Sequence, residues 1–184
     1  MRALILSACF WLLAVTAAAA RFTVMSPDIH NGRTIPMVHV FNAFGCTGDD
    51  QSPALSWSGA PAGTKSFAIT MFDPNAPTGS GWWHWTVFNI PADVHSLPEN
   101  AGAADTTSLP TGAMEGRTDF GFSHYGGPCP PVGDPAHHYI ITVYALKVAK
   151  LPLTSSASGA LVGYNLHFVT LAKARLVGRY GRAK

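Results

Sequence analysis

The run Tyr-Ile-Ile-Thr-Val-Tyr-Ala-Leu at positions 139–146 decides the fold class. β-Branched and aromatic residues fill it, and such residues favour a pleated, half-buried strand. Residues 66–72 (Ser-Phe-Ala-Ile-Thr-Met-Phe) and 85–90 (Trp-Thr-Val-Phe-Asn-Ile) have the same character and predict two more strands. Weaker patterns predict further strands at residues 22–25, 35–41, 54–58 and 176–180.

Prolines and glycines separate these runs, and with 14 and 18 of them the chain is a poor candidate for a helical bundle. Residues 155–174 predict the one helical region, with Thr154 or Ser155 as its N-cap. Gly159 and Gly163 weaken its first half, which places the firmer helix at residues 166–174. Residues 101–118 predict a mobile loop of small and polar residues. The sequence therefore predicts a mainly β protein, an antiparallel β-sandwich with one or two short peripheral helices near the C-terminus.

The first twenty residues have the layout of a secretory signal peptide. Arg2 precedes an apolar run at residues 3–15, and small residues follow at 17–20. A transmembrane anchor is the alternative, but the run is shorter than the roughly 20 residues that a spanning helix needs. We expect a signal peptide at residues 1–20, a single domain at residues 21–184 and no membrane-spanning segment. The mature protein would then be periplasmic or secreted.

The charge balance excludes a broad nucleic-acid-binding surface. Twelve Lys and Arg against ten Asp and Glu leave a formal net charge of +2. Five basic residues near the C-terminus predict a solvated tail: Lys173, Arg175, Arg179, Arg182 and Lys184. No nucleic-acid partner is expected.

Two cysteines, Cys46 and Cys129, remain after the predicted signal peptide. In an exported chain such a pair is a candidate disulfide, and two free buried thiols are the alternative. A metal site built on them is not expected, because structural zinc sites usually pair cysteines at short spacing.

Polar residues with useful chemistry occur beside the strongest predicted strands. Asp73 follows the strand at 66–72 and opens an Asp-Pro turn, which on its own predicts only a local turn. Trp82 and His84 share one face of the next strand, because side chains alternate along a strand. A histidine in such aromatic company predicts the wall of a small-ligand pocket, and a satisfied core histidine is the alternative.

The strand at 139–146 is preceded by a second polar group. His137 and Tyr139 share a face, and a surface histidine pair with a half-buried tyrosine is the alternative. The backbone amides of Gly126 and Gly127, in a rigid Gly-Pro loop, could face an anion. If Asp73, His84, His137 and Tyr139 converge, they form the functional site.

Catalysis is less well supported than binding. The chain has no Gly-x-Ser-x-Gly elbow and no cysteine in a protease signature. Asp73, His84 and His137 have no recognisable metal-ligand spacing, so neither a metal nor a cofactor is expected. A hydrolase using Asp73 and His84 as an acid–base pair remains the weakest of the open hypotheses.

Several motifs in a fixed order resemble the phosphatidylethanolamine-binding protein family, and within it the bacterial Raf-kinase-inhibitor-like branch. The resemblance extends from about residue 22 to residue 180. The matching segments are Ser-Pro-Ala-Leu-Ser-Trp at 52–57, Asp-Pro-Asn-Ala-Pro at 73–77, Trp-Trp-His-Trp-Thr-Val-Phe-Asn-Ile-Pro at 82–91, Gly-Gly-Pro-Cys-Pro-Pro-Val-Gly at 126–133 and His-His-Tyr at 137–139.

The resemblance implies a β-sandwich with a small surface pocket that binds phosphate-like anions and phosphorylated headgroups. By motif, it assigns six ligand-contacting positions: Asp73, Trp82, His84, Gly127, His137 and Tyr139. One departure is Asn75, where the family often has a second aspartate, so a carboxylate at the pocket edge is absent.

The favoured hypothesis is an exported, non-catalytic protein that binds a phosphate-like anion or a phosphorylated headgroup. His84 and His137 would donate to anion oxygens with help from Tyr139, and Asp73 would orient a histidine or pair with an amine. Binding should then weaken as the pH rises through the histidine range. The alternative is an inhibitor or regulator that docks on a protease or kinase. A homodimer stays possible, and the sequence does not name the physiological ligand.

Overall fold

A computed structural model describes residues 21–104 and 108–184. The predicted signal peptide at residues 1–20 lies outside the described residues. In the described part of the chain, no helix has both the length and the apolar character needed to cross a membrane.

Two antiparallel sheets form the body of the domain, which confirms the predicted fold class. The smaller sheet has the strand order β1 (Thr23–Met25), β2 (Leu55–Ser58), β5 (Ser96–Leu97). The larger sheet has the order β6 (Met114–Glu115), β4 (Trp82–Pro91), β3 (Ser66–Asp73), β7 (His137–Leu146), β8 (Thr170–Tyr180).

The central strands of the larger sheet are covered on both faces. One face packs against the smaller sheet, through residues such as Ile69, Val87 and Ile141. The other face packs against the helix α1 (Gly159–Val169), whose Val162 and Leu166 are buried. Burial on both faces explains why the runs that predicted these strands are nearly continuous in apolar residues rather than alternating.

The helix prediction was right about a helix near the C-terminus and wrong about its N-cap and about where it ends. Ser158 is the N-cap, and its side chain accepts a hydrogen bond from the Leu161 amide at 3.2 Å. The helix ends where the Thr170 hydroxyl donates to the carbonyl of Leu166 at 2.7 Å. Residues 170–174, the second part of the predicted firm helix at 166–174, instead begin β8, because this strand pairs with β7 along nearly its whole length.

Packing requires one of the two glycines that weaken helix propensity. A β-carbon at Gly159 would lie 2.3 Å from Cγ of Trp83, whereas one at Gly163 would lie 3.5 Å from the nearest atom of the same ring. The Trp83 ring cannot easily yield, since it packs against Phe72 with ring centroids 4.6 Å apart. The helix can therefore approach β4 only with glycine at position 159.

Gly159→Ala is expected to destabilise the protein by about 1–3 kcal/mol, because the overlap with Trp83 outweighs the gain of about 1 kcal/mol in helix propensity. Gly163→Ala is the matched control, since its methyl group would make an ordinary van der Waals contact. Urea denaturation of both variants measures the difference. A Gly159→Ala variant as stable as Gly163→Ala would contradict this account of the helix packing.

The predicted strand at residues 35–41 is wrong. The segment contains a 3₁₀ turn at Met37–His39, with Pro36 as its N-cap. Pro36 has no N–H to give to a sheet, so a strand through it is disfavoured. The carbonyls of Val40 and Phe41 instead accept hydrogen bonds from the loop that follows, at residues 48–50.

Part of the predicted loop at residues 101–118 is also ordered into the sheet. β6 pairs with Val87 and Phe88 at the edge of the larger sheet. The indole N–H of Trp85 donates to Oε1 of Glu115 at 2.6 Å, which ties this short strand to the core. Two residues are too few to give a strand pattern in the sequence.

Candidate functional site

A small cavity lies where β3 ends and where β4 and β7 begin. Antiparallel pairing brings these three strand ends together, with Asp73 directly opposite Trp82 in the register. The cavity volume is about 160 Å³. We call this cavity the histidine pocket. The residues that line it are Phe44, Asp73, Ala76, Pro77, Thr78, Trp82, His84, Phe120, Cys129, Pro130, Pro131 and His137.

His84 is held in one tautomer by the backbone. Its Nδ1 lies 2.7 Å from the carbonyl oxygen of Gly126, and because a carbonyl can only accept, Nδ1 carries the proton. Burial lowers the pKa of His84 from 6.5 to about 4, against the smaller opposing effects of the Gly126 carbonyl and the Asp73 charge. The imidazole is therefore neutral near pH 7, and its Nε2 carries a lone pair. The expectation of a charged donor at His84 needs this correction.

Asp73 orients the second histidine. Its Oδ2 accepts a hydrogen bond from Nδ1 of His137 at 2.7 Å, and its Oδ1 accepts one from the Asn75 amide at 2.8 Å. Both residues are buried, with 2% and 4% exposure for Asp73 and His137. With one hydrogen bond on each carboxylate oxygen, Asp73 orients His137 and the loop at Asn75. The far nitrogen of His137, Nε2, lies 3.6 Å from a carboxylate oxygen of Asp134.

Asn75, the departure from the family pattern, also has a local role. Its side-chain oxygen accepts a hydrogen bond from the backbone amide of His138 at 2.9 Å. The amide oxygen thus joins the loop after β3 to the start of β7. An aspartate could make the same contact, so the replacement removes a charge without breaking this connection.

Trp82 and Tyr139 differ from each other in their relation to the pocket. Trp82 lines it, as predicted. Tyr139 is fully buried and packs against His84, with ring centroids 5.1 Å apart, and the predicted contact of its hydroxyl with an anion stays a prediction. Within the described residues, the Trp82 indole N–H and the Tyr139 hydroxyl are buried without a hydrogen-bond partner. Burial raises the pKa of Tyr139, so its hydroxyl stays protonated.

The backbone amides of Gly126 and Gly127 have hydrogen-bond partners within the protein. The Gly126 amide donates to the carbonyl of His84 at 3.0 Å, and the Gly127 amide donates to Oδ1 of Asp50 at 2.7 Å. A β-carbon at Gly127 would lie 2.2 Å from the carbonyl oxygen of His39, so glycine is needed there for close backbone packing. Gly127 thus shapes the wall behind the pocket, and the ligand contact predicted for it stays a prediction.

Sequence reasoning missed two residues that matter here. Asp50, whose pKa burial raises to about 6, holds the Gly126-Gly127 turn, but in the sequence it belongs to an acidic pair that predicts only a solvated loop. Phe120 packs edge-on against Trp82 and His84, with centroids 5.3 and 5.4 Å away. Two phenylalanines at positions 120 and 122 of a glycine-containing loop were the available signal for an aromatic wall.

A disulfide joins Cys46 and Cys129, whose Cα atoms are 6.0 Å apart. Cys129 lines the histidine pocket, so the bridge fixes the Gly-Pro loop against the loop around residue 45. Arg182 connects the same two loops, because its guanidinium donates to the carbonyls of Pro130 at 2.6 Å and Gly45 at 2.9 Å. The rim of the pocket is thus held by one covalent bond and two hydrogen bonds.

The fold and the cavity together define a β-sandwich protein with a small histidine-lined pocket at one end of its larger sheet. A family model described as phosphatidylethanolamine-binding protein matches residues 25–181, and the chain belongs to that family.

Relatives and solved structures agree with this membership. The chain is 53% identical to YbcL of Escherichia coli (strain K12) over 180 residues, which is 98% of each chain. It is 47% identical to YbhB of the same organism over 157 residues, covering 85% of this chain and 98% of YbhB. The crystal structure of E. coli YbcL, described as a new member of the mammalian PEBP family, superposes with a TM-score of 0.87 at 56% identity, covering 88% of this chain and 99% of that one.

Proposed function

We propose that this chain is a non-catalytic binding protein for a phosphate-like anion or a phosphorylated headgroup, and that the histidine pocket is the binding site. The observation that carries the proposal is the pair of oriented imidazoles at the pocket. His84 is fixed by the Gly126 carbonyl and His137 by Asp73, so neither needs to reorganise to meet a ligand.

The size of the pocket supports a small ligand. About 160 Å³ is below the usual range for drug-sized ligands, and it corresponds to the liquid volume of roughly five waters. A phosphoryl group has a comparable number of heavy atoms. Larger parts of a ligand would extend past the exposed rim residue Phe44, which is 70% exposed.

The electrostatics favour a ligand that brings a proton. Among the described residues, no lysine or arginine lines the pocket, and His84 is neutral near pH 7. Its Nε2 can accept a hydrogen bond from a protonated phosphate oxygen, or it can take up that proton and donate in turn. In both cases one proton is bound when the complex forms. The complex therefore contains one proton more than the free phosphate dianion and the free protein with neutral His84 contain together.

Affinity for phosphorylethanolamine is therefore expected to fall as the pH rises above the second phosphate pKa of about 6, by up to about tenfold per unit. The direction agrees with the expectation from the sequence, but the cause differs, because the proton comes with the ligand and not from a charged histidine. Calorimetric titration across the range from about pH 5.5 to 8 measures it. A dissociation constant that is constant over this range would refute the protonated-ligand mechanism.

His84→Ala tests the site itself. We expect saturable shifts of the His84 and His137 ring signals in NMR when phosphorylethanolamine is added, and a loss of affinity of at least about tenfold in the variant. His30→Ala, at an exposed position outside the pocket, is the matched control. Absence of shifts at millimolar ligand, or equal affinity in both variants, would overturn the proposal.

We further propose that the protein acts in the periplasm or outside the cell. The signal-like layout of residues 1–20 and the disulfide between Cys46 and Cys129 both support an oxidising compartment. Mass spectrometry of the protein after expression in a bacterium would show removal of about the first twenty residues. An intact N-terminus in the cytosolic fraction would contradict the proposed location.

A second candidate is docking on a protein partner, and the exposed Phe44 beside the pocket favours it. An exposed aromatic side chain next to a cavity can anchor a partner residue. Phe44→Ala and His84→Ala should both weaken capture of a partner from periplasmic extract. If neither variant alters capture, the pocket is not the docking surface.

A further inference from the structure

Three side chains from separate segments meet at a place distinct from the histidine pocket. Asp28 follows β1, His39 ends the 3₁₀ turn, and Glu99 follows β5. Each offers one ligand atom, and the three atoms all lie within 4.8 Å of one another. None of the three lines the histidine pocket. We call them the His39 cluster.

The burial and the tautomer of His39 are those of a metal-binding histidine. Its side chain is 0% exposed, and its Nδ1 lies 2.8 Å from the carbonyl oxygen of Gln51, so Nδ1 carries the proton. The lone pair is therefore on Nε2, which points toward Oδ2 of Asp28 at 3.9 Å. That nitrogen is buried without a hydrogen-bond partner among the described residues.

An unpartnered buried nitrogen is costly, and a bound ion would remove the cost. Metal-binding histidines usually donate their other ring N–H to a backbone carbonyl or a carboxylate, as His39 donates to Gln51. The two carboxylates supply two negative charges, which balance a divalent cation beside a neutral imidazole. Glu99 is exposed and Asp28 is 31% exposed, so an ion can enter from their side.

We propose that the His39 cluster binds a divalent first-row transition-metal ion. One imidazole nitrogen and two carboxylates suit Zn²⁺ or Mn²⁺ better than Mg²⁺ or Ca²⁺, which favour ligand sets made of oxygen alone. Water completes the coordination, because three protein ligands leave at least one position open. Zn²⁺ should bind more tightly than Mn²⁺, following the general order of divalent affinities.

The ion would act as a structural clip. It would join the segment after β1 and the turn after β5, both in the smaller sheet, to the 3₁₀ turn. That turn lies behind the histidine pocket, since the His39 carbonyl accepts a hydrogen bond at 2.9 Å from the hydroxyl of Tyr125, which directly precedes Gly126. A ligand that binds only the folded state raises stability in proportion to the logarithm of its concentration.

The test uses chelator-treated protein without an affinity tag, titrated with ZnCl₂ alone. We expect one ion per chain, a rise in Tm with added zinc, and at least about tenfold weaker binding in Asp28→Asn and in Glu99→Gln. Asp93→Asn removes an exposed carboxylate outside the cluster and should bind as the wild type does. Mn²⁺ should selectively broaden the His39 ring signals in NMR.

Three results would overturn the inference. The first is no zinc binding at millimolar concentration. The second is unchanged affinity in both Asp28→Asn and Glu99→Gln, as zinc held by His137, His138 and Asp134 would give. The third is zinc binding that leaves the His39 ring signals in NMR unchanged, because His39 would then not be a ligand. Both variants are expected to fold, since Asp28 and Glu99 lie at the surface and each replacement conserves the shape of the side chain. Loss of zinc binding in both would therefore not be due to unfolding.

Discussion

Replacing Cys46 and Cys129 together with alanine is expected to lower the free energy of unfolding by about 4 kcal/mol. The disulfide closes a loop between positions 83 apart, and a loop of this length restricts the unfolded chain strongly in the chain-entropy description. Alanine is preferable to serine because Cys46 lies in an apolar cluster with Val40 and Phe41, where a hydroxyl would add its own cost. Urea denaturation followed by tryptophan fluorescence measures the change.

The reduced wild-type protein is the control for this prediction. It keeps both sulfur atoms, so it separates loss of the cross-link from loss of packed volume. A decrease below about 1 kcal/mol in both samples would contradict the expectation. It would mean that the unfolded chain without the cross-link already keeps the two loops close together.

The second large effect is a pH dependence of stability that originates at His84. Burial lowers its pKa from 6.5 to about 4, so between these values the unfolded chain binds a proton that the folded protein does not. The contribution of His84 to the free energy of unfolding is constant above pH 6.5 and decreases as the pH falls toward 4. Below pH 4 it no longer changes. The size of the loss is about 3 kcal/mol, from about 1.4 kcal/mol per pKa unit.

His84→Gln should remove this part of the pH profile, because glutamine can donate to the Gly126 carbonyl but does not titrate. Exposed His30→Gln is the control. Burial also raises the pKa of Asp50 to about 6 and of Glu115 to about 7, and raised carboxyl pKa values act in the opposite direction, adding stability as the pH falls. The difference between wild type and His84→Gln isolates the histidine. Parallel profiles for the two proteins would refute the assignment.

The central strands could be predicted because their burial leaves a direct trace in the sequence. Residues within β3 and β7 are buried on both faces, so their sequences are nearly continuous apolar runs that can be recognised without the tertiary structure. Pro36 and the glycines of the helix show where prediction of secondary structure from the local sequence fails. Gly159 lowers helix propensity in isolation, yet its small size is what lets the helix rest on Trp83, a contact that only the tertiary structure contains.

In the candidate site, too, some features could be predicted from the sequence and others could not. Alternation along strands placed Trp82 with His84 on one face, and the structure lines the pocket with both. The roles of Gly127 and Tyr139 could not be read from spacing, because they depend on which atom each backbone or hydroxyl group meets. Asp50 and the His39 carbonyl, which decide the surroundings of Gly127, come from loops whose sequences carry no periodic signal.

The position of Cys129 has a consequence for when the protein can work. A precursor still inside the cytosol would carry two free thiols, because that compartment keeps cysteines reduced. The Gly-Pro side of the pocket would then be held by hydrogen bonds only, from Arg182 and to Asp50. Abundant cytosolic phosphate esters would meet a less rigid receptor. Oxidation after export would complete the cavity. Under the proposed function, the protein would thus mature into a ligand trap only in the compartment where it is meant to meet its ligand.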